Sequence, residues 1–280
     1  MQPPADPEQG VFGMRFEPPR ATSGTLRLLA LVIMLLAAAK VASAQEVLRV
    51  GYFDLTPHVV QVEGKEPSGA AVGYFEEFIA PALGVEIIWD TRVTPPTRLM
   101  DQLRTGGKDA MIFLGWTKDR TAYLHYPDPY LTLPEVMAFR ANHPIEQVVT
   151  VEDLHGLRVG FLVGGRIPEA LRDPRITYDL IAGKRLFERN LEKLLLGRID
   201  AIYAPLSVAV SQIIEQKKLK EDLKLLPIEF LPPVDIYTVF SKLTVGEDLV
   251  ARYNEALRVA LKQVSYLDYV ARYQSSHAED

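Results

Sequence analysis

Gly106-Gly107-Lys108-Asp109-Ala110-Met111 returns further along the chain as Gly197-Arg198-Ile199-Asp200-Ala201-Ile202, the pattern G-x-x-D-A-apolar written twice. Each copy follows a stretch of helical period and leads into a run of strand formers, so the glycine ends a helix and the aspartate opens a strand. Glycine ends helices in every fold class, and one copy alone says little. Two copies at the same place in two successive cycles point to a repeated lobe.

Working outward, the first cycle reads LRVGYF (48–53), a helix over 74–83, VEIIW (85–89), a helix over 96–105 and DAMIFL (109–114). Pro95-Pro96 suits the first turn of the second helix, where a missing N–H costs nothing. The second cycle follows His143-Pro144 with LRVGFL (157–162), a helix over 184–196, DAIYA (200–204) and a helix over 206–217. Short strands alternating with helices predict two α/β units with largely parallel sheets. The end differs: FLPPVDIYTVF (230–240) is extended and broken by proline, and residues 245–273 form one long amphipathic helical stretch. That stretch is easiest to place if the chain returns to the first lobe. The expected organisation is residues 45–139 plus 236–280 as lobe one and 140–235 as lobe two, joined by two crossover strands near 136–141 and 234–241 that act as a hinge.

The chain has 280 residues, 48% hydrophobic and 24% charged, with a net charge of -5, which describes a globular protein with no basic surface for nucleic acid. Cysteine is absent, so disulfides and thiolate metal sites are excluded. The five histidines are scattered without ligand spacing, no G-x-S-x-G elbow or P-loop occurs, and no cofactor is expected. Residues 1–44 read as a signal peptide: Arg15, Arg20 and Arg27 precede the apolar run LLALVIMLLAAA (28–39), and Ala42-Ser43-Ala44 is a small-x-small ending before Gln45. The apolar run is shorter than the roughly 20 helical residues that cross a bilayer. An uncleaved anchor, and a start at Met14, remain as alternatives.

LRVGYFDLTP (48–57), VGYFEEF (72–78), LRTGGKDAMIFLGWTKDR (103–120), YPDPYL (126–131), VEDLHGLRVGFLVGG (151–165) and GRIDAIYAP (197–205) stand in one order over nearly the whole of the chain after residue 44. In that order they resemble the family 3 extracellular solute-binding proteins, the periplasmic components of polar amino-acid ABC transporters. The resemblance implies a type II periplasmic-binding-protein fold, two α/β lobes closing on a ligand about two crossover hinge strands.

Thr117-Lys118-Asp119-Arg120 matches the family's T-x-x-R, whose arginine pairs with the ligand carboxylate. A guanidinium suits that role because it offers two parallel hydrogen bonds and keeps its charge. The same residues could be ordinary capping and surface charge. Where relatives that bind α-amino acids carry an acid for the ammonium, this chain has Tyr203-Ala204-Pro205, and the strand before T-x-x-R ends in Leu114-Gly115-Trp116 rather than in serines. The acidic position on strand one appears as Phe53 or, shifted by one, Asp54. The expected cleft is therefore lined by Tyr52, Phe53, Gly115, Trp116, Thr117 and Tyr203, with Arg120 and Arg166 as two cations lacking a matched acid. Gly164 and Gly165 would let backbone N–H groups approach an anion at a helix start. Core packing is the alternative for each aromatic.

This combination favours a small carboxylated or anionic solute with a flat apolar body. The expected function is periplasmic binding by hinge closure and delivery to an inner-membrane ABC permease, with no catalysis and a monomeric protein. A ligand-sensing or accessory protein of the same fold is the alternative. A periplasmic dehydratase-like enzyme is a more distant one, because the aligned cleft positions are aromatic, glycine or arginine. With seven residues after Tyr273, no second catalytic domain is expected.

Overall fold

The computed structural model of the chain describes residues 46–53, 55–56, 58–61 and 64–276. The expected signal peptide, residues 1–44, and the expected first mature residue, Gln45, lie outside the described residues, as does Asp54. No described helix is long and apolar enough to cross a membrane.

Eleven strands and seven α-helical segments follow one another in the described chain. They are β1 (Glu46–Gly51), α1 (Ala70–Tyr74), α2 (Ala80–Leu83), β2 (Val85–Trp89), α3 (Pro96–Thr105), β3 (Ala110–Gly115), β4 (Leu124–His125), β5 (Leu131–Leu133) and β6 (Val136–Arg140). Then come β7 (Arg158–Leu162), β8 (Thr177–Ile181), α4 (Leu186–Leu195), β9 (Ala201–Ala204), α5 (Ser207–Gln216), β10 (Leu223–Pro227), β11 (Val234–Ser241), α6 (Glu247–Gln263) and α7 (Tyr266–Ser276). A π-helical turn, Phe75–Ile79, joins α1 to α2, so the helix expected over 74–83 begins earlier and is wound wider in its middle. Helix α3 behaves as its sequence demands: Pro96 takes the first position, and Gly106, at φ 75°, ends it in the left-handed conformation that a side chain disfavours.

The strands form two sheets with one plan. The first has the order β2-β1-β3-β11-β4, with β5 also pairing β11; the second is β10-β6-β9-β7-β8. In the first, β1 runs parallel to β2 and β3, and β11 runs antiparallel to β3. In the second, β7 runs parallel to β8 and β9, and β6 runs antiparallel to β9. Each sheet is thus a parallel trio with an antiparallel strand added by the chain arriving from the other sheet.

The two passages lie side by side. Leu133 pairs with Val234 in the first sheet and Val136 with Pro227 in the second, which leaves Pro134-Glu135 on one passage and residues 228–233 on the other. Because all of β6 belongs to the second sheet, the first passage precedes the expected boundary at 139/140. The expected crossover stretches 136–141 and 234–241 are each the first strand after a crossing rather than the crossing itself.

The C-terminal helices pack on α1, the π turn and α2. Tyr74 Oη donates to the Val264 carbonyl (3.3 Å), and Gly69 N donates to Tyr273 Oη (3.1 Å). Residues 245–273 are not one helix: Val264 is extended, and the Asp268 N–H donates to Ser265 Oγ (3.1 Å), so a new helix starts from a serine cap.

Candidate functional site

The repeated aspartates explain why the two sheets match. Asp109 accepts from the Arg49 N–H (2.9 Å) and Nε (2.8 Å), and its own N–H donates to Arg49 O (3.0 Å). Asp200 does the same to Arg158, accepting from its N–H (2.8 Å) and donating to its carbonyl (2.8 Å). Each aspartate locks the third strand to the first in one register, Val50 opposite Ala110 and Val159 opposite Ala201. Burial pushes the Asp109 carboxyl up, but the hydrogen bonds from Arg49, with one from Thr244, outweigh it and hold the group below its usual range. The glycines of Leu-Arg-Val-Gly at 48–51 and 157–160 are part of the same device. A Cβ on Gly51 would stand 2.5 Å from Leu99 Cδ2, and one on Gly160 would stand 2.5 Å from Ile199 Cδ1. These residues build the lobes and take no part in the cleft.

Past the carboxyl ends of β3 and β7, where open α/β sheets hold ligands, lies a cleft of about 530 Å³, part of it open to solvent. Its first-lobe wall carries Phe53, Phe113, Leu114, Gly115 and Arg120; Phe161, Leu162, Gly164, Gly165, Arg166 and Leu206 form the second-lobe wall. Val234 and Ile236, where the second passage enters β11, complete it. Phe113 holds a left-handed backbone (φ 58°), costly for an aromatic residue, and its N–H donates to Tyr130 Oη (3.2 Å). The opposing β11 shifts register between Tyr237 and Val239, so the strand is bent where it forms the wall.

Arg120 sits on the 3-10 turn Lys118–Ala122 and spans the cleft. Its guanidinium donates to the Gly115 carbonyl (3.5 Å) on its own side and to the Gly164 carbonyl (3.1 Å) on the other. Gly115 O also accepts from Tyr126 Oη (3.5 Å), whose pKa burial raises while the Arg120 charge works against the rise. The second lobe comes close here. A Cβ on Gly164, which adopts φ 79°, would stand 2.7 Å from Thr97 Cγ2 at the start of α3.

Arg166 corrects an expectation, because it does have a matched acid. Its Nη2 donates to Glu135 Oε1 (2.5 Å), and Glu135 is buried in the first passage between the sheets. The other carboxylate oxygen accepts from Tyr203 Oη. Burial, then the Glu135 charge and that hydrogen bond, raise the Tyr203 phenol far above its ordinary value, so it stays a donor. Sequence reasoning passed over Glu135, although an acid between LTL and VMAF, two apolar strand runs, was the signal to follow.

Five of the nine expected residues thus meet in the cleft: Phe53, Gly115, Arg120, Gly165 and Arg166. Tyr52 is fully buried in the core, since neighbouring residues of an extended chain face opposite ways. Tyr203 lies behind the wall, its ring 4.8 Å from that of Phe161. Trp116 is half exposed and is not among the residues lining the cleft, and Thr117 precedes the 3-10 turn without a side-chain cap. The expected helix start after Gly164-Gly165 does not exist: Pro168 leads into a three-residue 3-10 turn, Glu169–Leu171. Gly165 serves close packing instead, as a Cβ there would lie 2.4 Å from Phe161 Cε1.

No protein-family model and no curated protein matches the chain. Solved structures do. A mutant of the arginine-binding protein ArgBP from T. maritima superposes with a TM-score of 0.66 at 24% identity, over 82% of this chain and 95% of that one. An ancestral arginine-binding protein bound to arginine gives 0.63 at 19%, over 81% and 98%. A histidine kinase sensor domain with similarity to periplasmic binding proteins gives 0.64 at 18%, over 81% and 96%. The resemblance read from the sequence thus extends to these structures, and the described chain has the two-lobed type II periplasmic-binding-protein fold.

Proposed function

We propose that the chain binds a small carboxylated solute between its lobes, with Arg120 as the group that holds the carboxylate. The observation carrying this reading is the span of Arg120, which reaches from the first lobe to the Gly164 carbonyl of the second. A carboxylate at that guanidinium would pair two opposite full charges in place of two bonds to neutral carbonyls, one of them long. Contacts to both walls exist only when the lobes are together, so such a solute favours the closed arrangement, and that difference in affinity drives closure.

Residues 1–44 direct export to the periplasm, and the closed protein delivers its solute to an inner-membrane ABC permease, without catalysis. Both walls come from one chain, so a monomer suffices. The sensor-domain likeness favours a second reading, in which closure signals rather than transports.

The test is a panel of aliphatic and aromatic carboxylates screened by thermal shift. A member at 100 times its Kd should raise stability by about 2.7 kcal/mol. Calorimetry then compares the tightest member on wild type and Arg120→Ala. Losing a charge-assisted contact in the cleft should weaken binding by roughly 30-fold to several thousand-fold. Unchanged affinity would overturn the role of Arg120.

A further inference from the structure

We propose that Glu135 sets the charge of the solute, making the cleft a site for an apolar monocarboxylate that carries neither an ammonium nor a second carboxylate beside the first. The inference rests on the carboxylate reading above and adds to it a specificity-determining residue. Two guanidinium groups converge on Gly115: Arg120 donates to its carbonyl, and a Cβ there would stand 3.4 Å from Arg166 Nε. Alone, such a pair would call for a dianion. Glu135 answers one of the two charges from behind the wall, its side chain 3% exposed against 20% for Arg166, so it is fixed to the protein while Arg166 still borders the cleft. Among the described residues Arg120 has no carboxylate partner and keeps one net positive charge for the solute.

The same geometry disfavours an α-ammonium. Glu135 already accepts from Arg166 on one oxygen and from Tyr203 on the other, and it lies buried behind the wall, out of line with a ligand cation in the cleft. The described wall is otherwise apolar, with Phe53, Phe113, Leu114, Phe161, Leu162 and Leu206 around the two arginines. An ammonium there would lose its hydration and meet no carboxylate among the described lining residues. A second carboxylate would face a guanidinium already neutralised.

Three probes that differ at one carbon separate these cases: 3-phenylpropanoate, benzylmalonate and phenylalanine carry hydrogen, carboxylate and ammonium on the same skeleton. Hexanoate, butylmalonate and norleucine repeat the set with an aliphatic body. Wild type should bind the monocarboxylate of at least one set ten-fold or more tighter than its two partners. Glu135→Gln keeps the shape and a hydrogen bond to Tyr203 but leaves the cleft with two cations, and should shift the ratio toward the malonate ten-fold or more. Glu135→Gln with Arg166→Met removes both charges and should restore the wild-type order. A merely structural Glu135 would change melting temperature and leave the ratios alone, which overturns the inference while Arg120 keeps its role. Tighter wild-type binding of the amino acid or the malonate also overturns it. If no member of either set binds wild type, the carboxylate reading falls with it.

Discussion

His58 is buried in the first lobe, its Nδ1 2.7 Å from Tyr266 Oη and its ring 5.0 Å from that of Phe113. Burial pushes its pKa down to about 4. The unfolded chain takes up a proton there near pH 6.5, while the folded one resists until about pH 4, so stability falls as pH drops through that window. The shift corresponds to roughly 3 kcal/mol. His58→Gln should flatten the decline of melting temperature between pH 6.5 and 4; curves that stay parallel to wild type would remove His58 as the cause. Single residues were the scale least legible in the sequence. Arg120 could be found because T-x-x-R fixes its place after a strand, whereas Glu135 is placed by a pairing with Arg166 across 31 positions of chain. Tyr52 and Phe53 cannot both face a cleft, and alternation alone does not say which one does.

Among the elements, the aspartate clamps decide the register of both sheets. Asp109 is buried and accepts three bonds from Arg49, including Nη2 at 2.7 Å, whereas the Asp200 clamp is exposed. Hydrogen bonds to a charged group contribute more where water cannot replace them, so Asp109→Ala should cost about 2–3 kcal/mol and Asp200→Ala about 1. Urea unfolding measures both, and equal losses would contradict the role of burial. The elements that were legible are those with local causes: β2 and α3 fall where their apolar runs and Pro96 put them. β8 was not, because it is an edge strand with no fully buried residue to mark its inner face. The break between α6 and α7 was written in Ser265 and Asp268, a capping pair inside an otherwise continuous helical period.

For the whole molecule, the two sheets share one plan, and the passages between them carry the cleft's chemistry. Glu135 lies in one passage, and Val234 opens the strand that ends the other, so a change in the cleft acts where the lobes join. The lobes were legible because the G-x-x-D-A pattern marks equivalent strands. Their junction was not, because Pro134-Glu135 carries no repeat of its own. The central claim, that a carboxylate is held between the lobes by Arg120, is tested most directly by a crystal structure with the tightest carboxylate of the panel. The carboxylate should lie against the Arg120 guanidinium with two N–O distances of about 2.7–2.9 Å, in contact with both walls. A solute bound elsewhere, or bound in the cleft with its carboxylate turned away from Arg120, would contradict the account.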